Sequence, residues 1–330
     1  MRSVGILGCG LIGHKRGLAA LSCGDSVGGC FDLNKEAAAR VSSTFRCRVF
    51  DSPEELLRDE SIDLVVVATY HSSLKGLVIQ ALDAGKHVLV EKPAAVSLSD
   101  IDELIEAENR SPGRVKVGFN YRFHPAIMMA KQLLDDGVIG EVMWIRGHHG
   151  HGARVGYDRE WRCQREISGG GEMVDQGSHL VDLAGMFAGK LALQYSSLSA
   201  KYWPIEVEDN CFLALESESS ATVWLHASWT EWKNNFSLEI TGRVGKLQID
   251  GFGGSYGTER LTLYKMSEKM GPPDTSAWEF PQPDQSWDRE YEHFLSSIET
   301  GQEFSGGLGE AREVWRVIEQ AYSSQDTLKG

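Results

Sequence analysis

Two rhythms of apolar and polar positions run along the chain, and one gives way to the other near residue 121. In the first, short continuous apolar runs alternate with segments of helical spacing. The runs are "SVGILGCG" (3–10), "SVGGCFD" (26–32), "CRVFD" (47–51), "IDLVVVAT" (62–69), "KHVLVEKP" (86–93) and "RVKVGFNYR" (114–122). Unbroken apolar strands of this length suit a sheet covered on both faces. Between them, 11–23, 34–45, 52–59, 72–85 and 97–110 carry helical spacing. Ser52 ahead of Pro53 marks one helix start. Repeated strand–helix units predict an α/β domain with a parallel, doubly wound sheet.

In the second rhythm, a helix at 125–137 leads into strands at 141–149, 192–200, 211–217, 221–229, 236–242, 245–251 and 260–266. Several alternate apolar and polar residues, as a mostly antiparallel sheet with one buried face should. Two helices, 286–301 and 307–324, close the chain, and the proline-bearing 268–287 reads as a loop. The expected domains are 1–121 and 122–330. Helices can cover one face of the second sheet, so Val223, Leu225, Phe236 and Leu238 are expected to offer the other face for burial.

Composition narrows the picture modestly. A chain of 330 residues, 42% hydrophobic and 24% charged, suits a two-domain soluble protein. No apolar run reaches the length of a membrane span. The first strand begins almost at once, so no signal or transit segment is expected. A formal net charge of −14 argues against nucleic acid and anionic membranes as partners. The six cysteines show no CxxC pair and no zinc spacing, and read as reduced, mostly buried thiols of a cytoplasmic protein.

Candidate chemistry sits in two stretches. "GILGCGLIG" places Gly8, Gly10 and Gly13 in GxGxxG spacing after a strand and at the opening of a helix. The first glycine makes the turn, the second admits a pyrophosphate, and the third lets helix pack on sheet. Asp32 ends the second strand, where an acid accepts from ribose hydroxyls and repels a 2′-phosphate, so NAD is expected over NADP. In "GGGEMVDQGSHLVD" (169–182), Asp175, His179 and Asp182 fall within an arc of about 60° on a helix. The remainder of that helix is apolar on nearly every side, so the row lines a cavity or is a solvated polar stripe.

"GILGCGLIG", "VVVAT", "AGKHVLVEKP" and "GGGEMVDQGSHLVD", in this order, resemble the glucose–fructose oxidoreductase / inositol dehydrogenase (Gfo/Idh/MocA) family over essentially the whole chain. The resemblance implies a Rossmann dinucleotide-binding domain and a C-terminal α/β domain with a large open sheet for substrate binding and oligomerisation. It implies a nicotinamide enzyme moving hydride to or from a secondary alcohol or ketone of a sugar, sugar derivative or cyclitol. The cofactor contacts it implies are Gly8, Gly10, Leu11, Ile12, Gly13, Asp32, Thr69, Glu91, Lys92 and Asn120. Lys92, Asp175 and His179 match its catalytic positions. Lys92 stands at a strand end; Glu91 could orient it or touch cofactor, and a cis bond is common before Pro93. His179 would take or relay the hydroxyl proton, with Asp175 orienting it or binding substrate. The glycines of 169–171 would let backbone approach nicotinamide and sugar. Asp182 is expected to have a structural hydrogen bond. Asn120 and Arg122 would lie near the nicotinamide or form a hinge. Leu74 stands where many members carry histidine, which leaves His71 a weak candidate. Homodimers or homotetramers through the C-terminal sheet are implied as well.

The segment 146–166 holds five arginines against three acids. Arg154, Arg162 and Arg165 with Tyr157 and Trp161 would fit an anionic or nucleotide-linked sugar, or the segment is a surface loop neutralised by the protein's own acids. Arg122 joins this substrate-binding set. His148, His149 and His151 lack an acid or cysteine of ligand spacing, and the family needs no metal, so none is expected. Two other functions fit the same residues: a redox-neutral glycoside-cleaving enzyme with tightly held NAD, and a non-catalytic metabolite sensor. A sensor has no need of Lys92, Asp175 and His179.

Overall fold

In the computed structural model residues 1–328 are described. The first rhythm folds as expected, into strands β1 (Ser3–Leu7), β2 (Ser26–Phe31), β3 (Arg48–Val49), β4 (Leu64–Val67), β5 (His87–Glu91) and β6 (Val115–Gly118). Between them run helices α1 (Leu11–Ser22), α2 (Lys35–Phe45), α3 (Pro53–Arg58), α4 (His71–Asp83) and α5 (Leu98–Arg110). The strands are parallel in the order β3-β2-β1-β4-β5-β6. Order reverses between β1 and β4, and the glycine turn leaves β1 at that point, where open α/β sheets bind ligands. The middle strands are fully buried, as their unbroken apolar runs require.

The second part begins with α6 (Pro125–Asp135) and β7 (Val142–Gly150), then a short helix α7 (Arg165–Ser168) and α8 (Ser178–Ala188). Strands β8 (Leu191–Ser199), β9 (Asn210–Ser217), β10 (Thr222–Ser228), β11 (Asn235–Gly242), β12 (Gly245–Asp250), β13 (Glu259–Lys265) and β14 (Asp274–Phe280) follow. They join β7 in an eight-stranded sheet of order β14-β13-β12-β11-β7-β10-β9-β8. Every pair is antiparallel except β7 with β10. β14 lies inside the segment read as a loop. Its seven residues are largely exposed, so no apolar alternation announces it.

α9 (Ser286–Thr300) and α10 (Leu308–Leu328) end the fold. The chain divides into two compact units: Met1–Asn120 with Trp287–Arg312, and Tyr121–Ser286 with the residues from Glu313 onward. The single cut expected at 121 thus differs from the observed division, because α9 returns to the first unit. Tyr291 and Phe294 of α9 are buried among Val4, Ala19, Ala20 and Leu89 of that unit's core. In the second unit, α8 packs on β7 and β10. A Cβ at Gly147 would stand 2.9 Å from Leu225 and 3.3 Å from Leu180, so the close approach of α8 to β7 needs glycine there.

The apolar strand residues named for an uncovered face are already covered. Val223, Leu225, Phe236 and Leu238 point to the helix side and are no more than 1% exposed. The outer face carries a mixed set instead, with Trp224 and Tyr195 exposed beside Arg146 and Glu216.

Candidate functional site

The glycine turn is built as its spacing requires. Gly8 has φ +97°, and a Cβ there would lie 2.3 Å from the Ala68 carbonyl oxygen. A Cβ on Gly13 would lie 1.9 Å from the Gly8 carbonyl oxygen. Gly10 differs: nothing lies within 4 Å of its would-be Cβ, so the space in front of it is open. It also caps α1, whose N-terminus receives no side-chain cap and no acid in its first turn. Free N–H groups and the helix dipole there suit an anion. Asp32 is half-buried. Its Oδ2 accepts from Cys9 N–H at 2.7 Å and its Oδ1 from Asn34 N–H at 2.7 Å. The carboxylate therefore shapes the turn. Thr69 Oγ1 accepts from Ser73 Oγ at 2.8 Å, at the start of α4. The residues present fit a dinucleotide.

Lys92 follows β5 and is half-buried, and the Lys92–Pro93 bond is cis. Behind it runs a charged network that sequence reading missed. Arg16, fully buried on α1, donates from Nε to Glu91 Oε1 at 2.7 Å and from Nη1 to Glu290 of α9. Lys116 lies 3.9 Å from the other Glu290 oxygen. Burial opposes the charge on Arg16, but Glu91 and Glu290 outweigh it and hold the guanidinium protonated. Glu91 is thus anchored from behind, which fixes the strand end carrying Lys92. The sequence signal was an arginine amid the apolar α1; its partner 274 residues away was not legible.

In the second unit, Met173–Gly177 form a π-helical turn that runs into α8. The row of Asp175, His179 and Asp182 therefore does not lie on one uniform α-helix; the wide turn shifts Asp175 relative to the other two. His179 is buried, and Tyr121 stacks on its ring with centroids 3.8 Å apart and planes within 9°. Tyr121 was not singled out in the sequence. Asp182 takes the structural role expected of it: Arg122 donates to it from Nε at 2.8 Å and Nη2 at 2.7 Å. Arg122 is buried in that pair, a partner the substrate-binding expectation did not foresee.

The glycines of 169–171 answer mainly to the protein. A Cβ on Gly170 would lie 1.9 Å from the Tyr322 hydroxyl, and one on Gly171 2.2 Å from the Glu208 carbonyl oxygen. Glu208, another residue missed, accepts at Oε1 from Gly171 N–H (3.0 Å), Met173 N–H (3.1 Å) and Tyr322 O–H (2.7 Å). Burial pushes its carboxyl above the ordinary range.

The arginines of 146–166 are mostly committed. Arg146 pairs with Glu239, and Arg154 with Glu160. Arg162 lies 3.5 Å from Asp175 and 3.7 Å from Glu160, over the Trp161 ring. Arg165 sits over Tyr322. Tyr157, expected to stack on a sugar, is a core residue packed with Trp229, Val207 and Cys163.

Residues 2–119 match the profile of the oxidoreductase family with NAD-binding Rossmann fold, and residues 127–248 that of the GFO/IDH/MocA C-terminal domain. The chain belongs to the Gfo/Idh/MocA family. Inositol 2-dehydrogenase 2 of Saccharopolyspora erythraea is 30% identical over 229 residues, 67% of this chain and 65% of that protein. Glucose-6-phosphate 3-dehydrogenase of Bacillus subtilis is 29% identical over 187 residues, 56% of this chain and 53% of the relative. The match thus spans less than two thirds of either relative. Levoglucosan dehydrogenase in complex with NADH and L-sorbose superposes with a TM-score of 0.90 at 21% identity, covering 99% of this chain and 97% of that one. That likeness is one of fold.

Proposed function

We propose that this member of the family is an NAD(H)-dependent oxidoreductase acting on a secondary alcohol of an uncharged sugar or cyclitol. The observation that carries the reading is the Gly8–Gly13 turn at the strand-order reversal. Two of its glycines are demanded by the protein's own backbone, and the middle one faces open space before an uncapped helix. Asp32 favours NAD over NADP, since a second anion beside its carboxylate is repelled. A nicotinamide bound there supplies the hydride acceptor or donor. In this reading His179 takes the hydroxyl proton, with its ring plane set by Tyr121. Lys92 stabilises the forming alkoxide, and Asp175 binds a neighbouring hydroxyl.

The relatives' names span uncharged compounds and a sugar phosphate. The committed arginines favour the uncharged class, because an anionic substrate would have to displace Glu160 or Asp175 from Arg154 or Arg162. A redox-active sugar enzyme in a reducing compartment is also consistent with six free cysteines.

The test is nicotinamide absorbance with both cofactors over inositols, neutral sugars, uronic acids and sugar phosphates. Turnover of a neutral polyol with NAD is expected. Lys92→Ala and His179→Ala should each lower kcat by about 10²–10⁴-fold with NADH affinity unchanged. A consistent preference for sugar phosphates over their neutral parents would refute the substrate class. No turnover of any of them would refute the activity.

A further inference from the structure

A histidine ladder on the outer face of the second sheet stands apart from every residue used above. β7 and β10 are parallel neighbours, and His148 pairs in register with His226. Both are outward positions, since Gly147 and Leu225 beside them face α8. Their rings stack at 4.8 Å and 14°, and Phe212 of β9 stacks on the far side of His226 at 3.9 Å and 7°. Glu231, just past β10, brings Oε1 to 3.1 Å from His148 Nε2. That nitrogen is buried and makes no hydrogen bond of acceptable direction despite the short distance. Two atoms so close but not aligned donor to acceptor are disposed like two ligands sharing one ion, whose edges run about 3.3 Å when each bond is about 2.0–2.1 Å.

The tautomer of His226 follows from its neighbours. Asn210 Nδ2 donates to Asp209 Oδ1 at 3.0 Å and Thr230 Oγ1 at 2.9 Å, which fixes its amide orientation. Asp209 in turn accepts from the backbone of Lys201, Tyr202 and Trp203 and so offers only acceptor oxygens. The Asn210 carbonyl Oδ1 therefore faces His226 Nε2 at 3.2 Å, and Nε2 must carry the proton. Nδ1 is left with its lone pair, the state a metal requires, and the Nε2–H to amide contact is the orienting second partner typical of such ligands. Asn235 Nδ2 lies 3.2 Å from His148 Nδ1; a flip of that amide presents its Oδ1 instead, the orientation that metal binding through His148 Nε2 requires.

We propose that His148, His226 and Glu231 bind one divalent transition-metal ion of the zinc class. One ligand atom from each lies within 4.8 Å of the others. A bound ion would draw these atoms together from that spacing, and Glu231 lies in a loop. Two imidazoles and a carboxylate leave a fourth position for water, and imidazole selects zinc, nickel, copper or cobalt over magnesium and calcium. The ion ties the turn after β10 to the middle of the sheet. Sequence spacing hid the set, because its members lie 78 and 5 residues apart and only the β7–β10 pairing unites them.

The full chain, stripped with chelator and dialysed, is titrated with Co²⁺ while its visible d–d absorption is followed, then with Zn²⁺ in competition. One equivalent of Co²⁺ is expected to bind with a low-symmetry spectrum and to be displaced by Zn²⁺, which also raises Tm. His226→Phe, which keeps the ring stack, and Glu231→Gln, which keeps the side-chain shape, should each weaken binding by about a hundredfold or more. That exceeds the effect of removing an orienting partner, about 10–100-fold. Absence of a saturable cobalt spectrum overturns the proposal. So does an unchanged spectrum and affinity in both variants, which would mean adventitious binding elsewhere.

Discussion

At Asp182 and Arg122 two opposite charges are buried face to face, with both carboxylate oxygens engaged by the guanidinium. Removing one member strands the other in a medium that cannot hydrate it. Asp182→Ala should therefore cost about 3–5 kcal/mol of unfolding free energy, read from denaturant midpoints. A double change to Leu at both positions should cost less than Asp182→Ala alone, because no charge is then left behind. Equal losses would show that the pair is not the source of the penalty. Tyr121 is the second residue whose identity matters singly. Its ring, lying flat on His179, restricts the imidazole to one plane. Tyr121→Phe keeps that plane and should leave kcat nearly intact. Tyr121→Leu should lower kcat by up to about 10²-fold with little change in NADH affinity. If the phenylalanine variant loses as much as the leucine variant, the hydroxyl and not the stack is what counts.

The element that most depends on its neighbours is the turn from Gly169 into α8. Its first N–H groups have no capping side chain of their own, and Glu208 fills that need from before β9. Gly171→Ala drives a methyl group into the Glu208 backbone and should destabilise by about 1–3 kcal/mol. The carboxyl also makes stability depend on pH. Burial raises its pKa, so the folded chain keeps the proton where the unfolded chain has released it. That contribution is complete below the ordinary glutamate pKa and is lost as pH rises through the raised folded value. Glu208→Gln keeps the acceptor and removes the titration. The decline of stability just above the ordinary carboxylate range should flatten in this variant. An unchanged slope would place the titrating group elsewhere.

For the whole molecule, assembly is the open quantity that measurement can decide. Among the described residues, no helix is long and apolar enough to cross a membrane. The helix-covered face of the eight-stranded sheet is complete within one chain, so Val223 and Leu238 contribute to its stability and not to a contact with a second copy. We propose the outer face, with Trp224 and Tyr195 exposed, as the surface through which homodimers or homotetramers form. Trp224→Glu should shift the mass measured by light scattering at micromolar concentration toward the monomer. A parent protein that is already monomeric there would contradict the assembly.

What the sequence determined by itself is local and short-range. Continuous apolar runs specified the parallel strands, because a strand buried on both faces admits a polar side chain only where a partner is supplied, as Glu290 is for Lys116 of β6. The GxGxxG spacing specified the dinucleotide turn, because Gly8 and Gly13 meet backbone within a few residues or across one strand pair. The tertiary structure alone decided what distant segments do to one another. It returned α9 to the first unit, where Glu290 neutralises Arg16, and it placed Tyr121 on His179. It made β14 a strand by pairing with β13, although its exposed residues carry no alternation to read. It paired Arg146, Arg154 and Arg162 with acids, and it brought His148 beside His226 through one parallel pairing in a mostly antiparallel sheet. Periodicity reports how a segment meets its own faces. The identity of the partner across a sheet or a core depends on the closing of long loops, and no local pattern encodes it.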